Sequence, residues 1–208
     1  MAASSPWPLI HAERDALATD LATLTAEQWA TVSLCSQWTV RDVFGHIIAT
    51  ARMTPPAFFA AMARAGFRFD TMTANRIAAE ATATPAEALA EFRKLLTATT
   101  HPPGPAEAML GEAVVHGEDI RRPLGIKREY PAGAVIRVAD FNKGSNLLIG
   151  SKRRIAGLAL KATDADWQTG SGPEVTGPAL SLVLAMTGRD AVLGDLSGEG
   201  VATLRSRM

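Results

Sequence analysis

A glutamate and a histidine, Glu112 and His116, stand four residues apart in a stretch that the sequence predicts to be one helix. Four residues make just over one helical turn, so both side chains leave the same face. The intervening residues, Ala113 to Val115, are apolar, which indicates that this helix is largely buried. A carboxylate or an imidazole buried without a partner is costly, and a shared metal ion would satisfy both groups.

A third candidate ligand, His46, lies on another predicted helix between the apolar residues Phe44 and Ile48. Its neighbour Gly45 would let a second helix or a ligand approach closely. Two histidines and one glutamate form a catalytic type of zinc site, in which one coordination position stays open for water or substrate. Helical bundles build such sites from facing helices. Without a metal, the same residues would be a surface pair or hydrogen-bonded groups of a protein core.

The elements that would position these residues are mostly helical up to about residue 150. Apolar residues that recur at three- and four-residue spacing, together with capping residues and prolines, mark the helix bounds. The predicted helices are, in chain order, 8–24, a short restart near Trp29, one from Thr39 to the Pro55–Pro56 pair, one through Phe58 and Phe59 toward Gly66, one beginning at Thr84, 106–122, and 131–149 with the apolar set Val135, Val138, Phe141, Leu147 and Leu148.

The pattern changes after Lys152. Residues 154–162 alternate as a half-buried strand does, and residues 167–175 resemble a second strand with a glycine-rich turn. An apolar helix opens at Gly177–Pro178, and a last short helix follows Gly200. The sequence therefore predicts an α+β protein, with a mainly α helical bundle over residues 1–150 and a small α/β domain over residues 151–208.

Composition narrows the function classes. Lys plus Arg equals Asp plus Glu, at 21 each, which argues against a broad phosphate-binding surface and against a nucleic-acid partner. The one cysteine, Cys35, excludes an internal disulfide framework and a cysteine-rich zinc module. Cys35 falls in a predicted loop with no recognisable base near it, so we do not expect it to be a nucleophile.

Targeting signals and membrane spans are not evident in the sequence. The first eight residues lack the basic start and apolar stretch of a secretory signal. The longest apolar run, 179–186, falls far short of the ~20 residues that cross a bilayer. We therefore expect a cytoplasmic protein without a membrane partner, as a monomer or a homodimer.

Three stretches of the chain carry a resemblance to a known family. They are Leu24–Trp29 with Ser33–Cys35 and Trp38–His46; Gly111–Gly125; and Leu160–Trp167 with Gly170–Gly177 and Leu184–Arg189. Together they resemble the mycothiol-dependent maleylpyruvate isomerases, whose N-terminal part is a DinB-like four-helix bundle. The resemblance covers most of the chain in the right order, and its Trp-Thr-Val-Arg-Asp…His block is quite specific.

The resemblance implies a zinc ion, or another divalent metal, held by His46, Glu112 and His116, the residues that spacing also selects. Characterised members use mycothiol, the small thiol that replaces glutathione in actinobacteria. A thiol that coordinates a metal is deprotonated, and the thiolate can attack an electrophilic carbon. The resemblance thus implies an enzyme that uses a low-molecular-weight thiol to isomerise a small electrophilic substrate or to transfer the thiol to it.

Two further residues have open interpretations. Arg189 resembles an arginine of the family's C-terminal domain that reaches toward the active site, where its donor fork would suit a substrate carboxylate. It can equally be a solvated arginine at a helix C-terminus. Asp42, one turn before His46, could orient the His46 ring, or it could stabilise the start of its own helix.

Two other function classes stay open. One is a non-catalytic protein that binds a metal or a small molecule with the same DinB-like bundle. The other is a structural bundle whose polar core groups satisfy one another. Metal content separates the structural bundle from the other classes, and thiol-dependent turnover separates an enzyme from a binding protein.

Overall fold

The computed structural model forms two compact units, Met1–Arg128 and Glu129–Met208. The residues it describes are 4–35, 37–81, 83–146 and 149–208. The sequence analysis placed the division at residue 150 instead. The difference arises because the helix that follows Glu129 packs against elements of the second unit, described below, rather than continuing the bundle.

The described part of the first unit is helical. Its helices are α1 (Trp7–Leu21), α2 (Ala26–Trp29), α3 (Val40–Ala51), α4 (Pro55–Arg64), α5 (Phe69–Glu80), α6 (Pro85–Arg93) and α7 (Glu107–Arg121). Helices α1 and α3 each contact both α6 and α7, so these four close into the four-helix bundle that the sequence predicted. Helix α5 packs on the outside of α3, and α4 packs on α5.

The bundle encloses one apolar core. The periodic apolar residues of α1, α3 and α6 meet there because each helix buries one stripe of its surface. Its buried members are Leu17, Ala18, Leu21, Trp29, Val40, Val43, Phe44, Ile47, Ile48, Ala88, Leu89, Phe92 and Ile120.

Two predicted helix starts are confirmed in detail. The hydroxyl of Thr39 accepts from the backbone N–H of Asp42, and the Asp42 carboxylate accepts from the backbone N–H of Thr39 at 2.9 Å. Thr84 and Glu87 form the same reciprocal pair at the start of α6, with Pro85 as its first residue. These local bonds fix where α3 and α6 begin.

Helix α5 was not predicted from the sequence. Only Met72, Thr73 and Ile77 on it are buried, and no side chain caps its N-terminus, so both local signals are weak. Its position depends on α3: a Cβ atom added to Gly45 would lie 3.4 Å from Cβ of Glu80 at the end of α5. The close approach that Gly45 suggested is therefore made by a neighbouring helix.

The second unit combines a small sheet with short helices. Strand β1 (Ala159–Ala162) is central, antiparallel to β2 (Gln168–Gly170) and parallel to β3 (Glu174–Gly177). The helices are α8 (Ala132–Gly144), α9 (Ser151–Arg154), α10 (Ala179–Met186), a 3-10 helix (Asp190–Asp195) and α11 (Val201–Arg205). Helix α10 packs on α8, β1 and β3. The predicted α+β class is confirmed.

Details of the second unit differ from the prediction. Helix α8 ends at Gly144, and the predicted helical residues Leu147 and Leu148 lie outside the described residues. The strand that was predicted from residue 154 begins instead at Ala159, since Arg154 belongs to the short helix α9. The second predicted strand is divided into β2 and β3 by a turn in which Gly172 has a φ of 122°. Among the described helices, none has the length and mean hydropathy to span a bilayer.

Candidate metal centre

Helices α3 and α7 bring the three predicted ligand residues together. His46 lies on α3, and Glu112 and His116 lie on α7, which packs against α3. Nε2 of His46 is 3.0 Å from Oε2 of Glu112, and Nε2 of His116 is 3.5 Å from the same oxygen. The ligand atoms of all three residues lie within 4.8 Å of one another. Two imidazole nitrogens and one carboxylate oxygen therefore converge on one point, as a divalent metal site requires.

Between Glu112 and His116, helix α7 is buried, as its apolar sequence predicts. The three candidate ligand side chains are only partly buried, with 16% of His46, 29% of Glu112 and 12% of His116 exposed. The centre is thus held by a buried helix but remains accessible from one side.

Trp38 forms a wall of the centre that the sequence analysis missed. Its ring centroid lies 5.3 Å from that of His46 and 6.4 Å from that of His116, while the two imidazoles lie 4.8 Å apart. Trp38 directly precedes Thr39, the residue that starts α3. The helix start therefore also places an aromatic ring beside both histidines.

Asp119 is a second functional residue that the sequence analysis missed. Its Oδ2 lies 2.8 Å from Nδ1 of His116, and the Asp119 side chain is fully buried. A carboxylate can only accept, so Nδ1 of His116 carries the proton and Nε2 points its lone pair at Glu112 when the ring is neutral. The signal in the sequence was the three-residue spacing on one helix, which places Asp119 beside His116.

Asp42 stabilises the start of its own helix. Its Oδ2 accepts from the backbone N–H of Thr39 at 2.9 Å and from the Thr39 hydroxyl at 2.7 Å. Of the two interpretations of Asp42 from sequence, the structure therefore supports the helix cap. The carboxylate that orients an imidazole is found on α7 instead, at His116.

The electrostatics of the centre favour positive charge. Burial by itself lowers the pKa of His116, but the Glu112 carboxylate, the hydrogen bonds with Asp119 and Cys35, and the charge of Asp119 outweigh it and raise the pKa to about 10. Two carboxylates on opposite sides of one imidazole produce this result. The same arrangement stabilises any cation that takes the place of the imidazolium proton.

Cys35 lies closer to polar partners than the sequence indicated. Its Sγ is 3.1 Å from Oδ2 of Asp119, and Cys35, His116 and Asp119 form a second group with metal-ligand spacing. Both groups depend on His116. When Nδ1 of the neutral His116 ring donates to Asp119, the one remaining lone pair is on Nε2, which faces the group that contains His46 and Glu112.

A narrow cleft between α1, α3 and α7 reaches Glu112. Its lining residues are Glu13, Arg14, Leu17, Ile47, Thr50, Met109, Glu112 and Ala113. The buried Glu13 carboxylate accepts from Nη2 of Arg128 at 2.9 Å, and Nη1 of Arg14 donates to the backbone carbonyls of Leu95 and Ala98. These bonds fix α1 beside the centre.

Arg189 belongs to the second unit. Its Nη1 donates at 2.8 Å to the backbone carbonyl of Thr187, the residue that ends α10. An arginine that binds the last carbonyl of a helix is stabilised by the helix dipole. A catalytic role for Arg189 stays a prediction.

Comparisons with known proteins agree with this fold. Residues 10–103 match the family model "Mycothiol maleylpyruvate isomerase N-terminal domain". No curated protein sequence matches the chain. A crystal structure of mycothiol-dependent maleylpyruvate isomerase is similar at a TM-score of 0.65 and 14% identity, over 93% of this chain and 91% of that chain. A histidine-to-alanine mutant described by the same enzyme name has a TM-score of 0.63 and 13% identity over the same shares.

The structural likeness, at these identities, concerns the fold alone, whereas the family match concerns the sequence of the bundle. Both confirm the resemblance seen in the sequence blocks. Residues 10–103 of the chain are therefore similar to the mycothiol maleylpyruvate isomerase N-terminal domain family, and the fold of the chain is similar to that of a mycothiol-dependent maleylpyruvate isomerase.

Proposed function

We propose that this protein is a metal-dependent enzyme that uses a low-molecular-weight thiol, mycothiol, on a small electrophilic substrate. In an isomerase of the maleylpyruvate type the thiol adds to the substrate and leaves again, whereas in an S-transferase the thiol stays on the product. The family match and the geometry of the centre support both versions.

One observation carries the proposal: Nε2 of His46, Nε2 of His116 and a carboxylate oxygen of Glu112 converge from two helices. The donor set is that of catalytic zinc sites, with two imidazoles and one carboxylate. The fit to a metal is strengthened by Asp119, which holds His116 in the tautomer that leaves Nε2 free to coordinate. Zinc, or another divalent metal, would supply a Lewis acid at which a thiol is held as its thiolate.

The residues of the chain divide the remaining work. His46, Glu112 and His116 would hold the metal, and as three protein ligands they would leave room for a water or a thiol. Asp119 orients His116, and the Trp38 ring lies beside both imidazoles.

Arg189 is proposed as the catalytic residue that binds a carboxylate of the substrate. Its planar donor fork matches a carboxylate in bidentate geometry. The expected setting is the cytoplasm of an actinobacterium that makes mycothiol. We expect a monomer or a homodimer without nucleic-acid or membrane partners.

The first test is elemental analysis of the purified protein beside a Glu112→Ala/His116→Ala double variant. We expect about one zinc per chain in the wild type and none in the variant, because two of three ligands are gone. His101→Ala is the matched control, since His101 lies in the same unit but outside the ligand group. A wild type that stays empty after reconstitution with zinc would refute the metal site.

The second test is turnover by the zinc-loaded protein with and without mycothiol, with maleylpyruvate as the first substrate and a small electrophile as the second. Consumption of substrate that requires the thiol supports the enzyme. Isomerised product with the thiol recovered supports the isomerase, and a thiol adduct supports the transferase. Stable zinc binding without turnover of either substrate would refute the enzyme and favour the alternative, a non-catalytic metal-binding protein.

A further inference from the structure

Cys35 contacts the carboxylate that orients His116. Its Sγ lies 3.1 Å from Oδ2 of Asp119, the same oxygen that lies 2.8 Å from Nδ1 of His116. Since a carboxylate accepts, the thiol donates in this contact. One oxygen atom of a fully buried side chain therefore receives two donors, one from the loop before α3 and one from α7.

The position of the thiol is fixed by the backbone around it. The hydroxyl of Ser33 accepts from the backbone N–H of Cys35 at 3.1 Å, and the backbone N–H of Trp38 donates to the Cys35 carbonyl at 2.7 Å. The backbone N–H of Leu34 donates to the carbonyl of Asp119 at 3.2 Å, which ties this loop directly to α7. The loop thus presents the thiol to one defined oxygen of α7.

We propose that Cys35 is a positioning residue of the metal centre, whose thiol holds the Asp119 carboxylate against Nδ1 of His116 and so raises the affinity for zinc. This inference rests on the proposed metal site. Partners that orient a ligating histidine commonly contribute about 10–100-fold to metal affinity. The thiol is a weak donor, so its share is smaller.

The test compares the zinc affinity of four variants and one control variant with that of the wild type. Competition with a chromophoric chelator measures each affinity. We expect Asp119→Asn to weaken zinc binding about 10–100-fold, the range for such partners, and Cys35→Ala to weaken it by about fivefold. Cys35→Ser should restore most of the affinity because a hydroxyl also donates to a carboxylate. Val32→Ala, an exposed position near the same loop, is the matched control and should bind as the wild type does.

The fourth protein, Cys35→Ala/Asp119→Asn, tests the route of the effect. If the thiol acts through Asp119, this double variant binds zinc as weakly as Asp119→Asn alone, because the two changes remove one shared interaction. Additive losses would overturn the inference, since they would mean that Cys35 acts independently of Asp119. Thermal melts of every variant separate a loss of affinity from a loss of folded protein.

Three further outcomes would overturn the inference. Equal zinc affinity of wild type and Cys35→Ala would leave the thiol without a role at the metal. A Cys35→Ser variant as weak as Cys35→Ala would exclude hydrogen-bond donation as the cause. In the cobalt-substituted protein, a thiolate-to-cobalt charge-transfer band that Cys35→Ser abolishes would make Cys35 a ligand. A wild type that binds no zinc at all would refute the proposed function as well, so the two failures are distinguishable.

Discussion

Helices α7 and α10 are both deeply buried within their own units, but their buried faces differ in chemistry. The buried residues of α7 include the charged side chains Glu118, Asp119 and Arg121. Those of α10 are apolar except Ser181. The two helices therefore reach the same burial by different means, one through paired charges and the other through apolar packing.

The charges of α7 all have partners close by. Nε of Arg121 donates to Asp20 on α1 at 2.7 Å, and the Glu118 carboxylate accepts from Nε of Arg122 at 3.1 Å. A buried charge is tolerated only when it is paired and hydrogen-bonded. These charges directly follow the candidate ligand His116 on α7, and Asp119 among them contacts the His116 ring.

The polar groups of α10 are satisfied locally. The Thr187 hydroxyl donates to the carbonyl of Leu184 at 2.9 Å, one turn back, and the Ser181 hydroxyl donates to Asp195 at 2.7 Å. Paired charges and the candidate metal ligands thus share one helix in the first unit, whereas the core of the second unit depends on packing. Four substitutions test this difference.

The largest expected effect is that of His46→Ala on zinc binding. Structural zinc sites bind with an apparent free energy of about 10–16 kcal/mol, so the loss of one of three ligands should cost on the order of 4 kcal/mol, or about a thousandfold in affinity. Chelator competition measures it, with His101→Ala as the control. An affinity within tenfold of the wild type would exclude His46 as a ligand.

The next effect is that of Leu184→Ala on stability. Leu184 is fully buried on α10, and removal of its side chain should lower the free energy of unfolding by about 2–5 kcal/mol through lost burial and a residual cavity. Urea denaturation measures it. Zinc content of the folded variant should not change, because the candidate ligands all lie in the first unit. A variant as stable as the wild type would contradict the dependence of this unit on packing.

A smaller loss is expected for Asp20→Ala. The change removes the carboxylate that binds the fully buried Arg121 side chain, and a hydrogen bond to a charged group contributes about 1.5–3 kcal/mol. Asp15→Ala is the matched control, since Asp15 is an exposed aspartate on the same helix. Equal denaturation midpoints for the two variants would show that the buried pair does not stabilise the bundle.

The smallest effect is expected for Thr39→Ala at the start of α3. Loss of an N-cap side chain costs about 1 kcal/mol, and α3 carries His46. Thr19→Ala, at an exposed position inside α1, should be neutral or slightly stabilising because alanine favours helix. Thermal melts of both variants measure the difference, and an unchanged melting temperature for Thr39→Ala would argue against the cap.

Much of the bundle was predictable because its signals are local. The caps at Thr39 and Thr84 involve bonds within three residues, so the sequence alone locates the starts of α3 and α6. The same holds for Glu112 and His116, which share a face of α7 by helix geometry. The assignment of these residues and His46 as metal ligands remains a prediction.

Other features depended on contacts between distant parts of the chain. Helix α5 has few buried residues and no cap, so it is recognised only by its packing on Gly45 of α3. The boundary at Glu129 follows from the packing of α8 on α10, which helical periodicity cannot reveal. Local patterns specify that a segment is a helix but not which neighbour covers it.

The starts of α3 and α6 and the shared face of Glu112 and His116 were evident in the sequence alone, because each follows from residues within one or two turns. Only the tertiary structure decided that His46 meets Glu112 at 3.0 Å across 66 residues of chain, and that Cys35 meets Asp119 across 84. The physical reason is that these contacts are set by how α3, α7 and the loop before α3 pack together. Helix packing is a collective result of the whole apolar core, which no local spacing encodes.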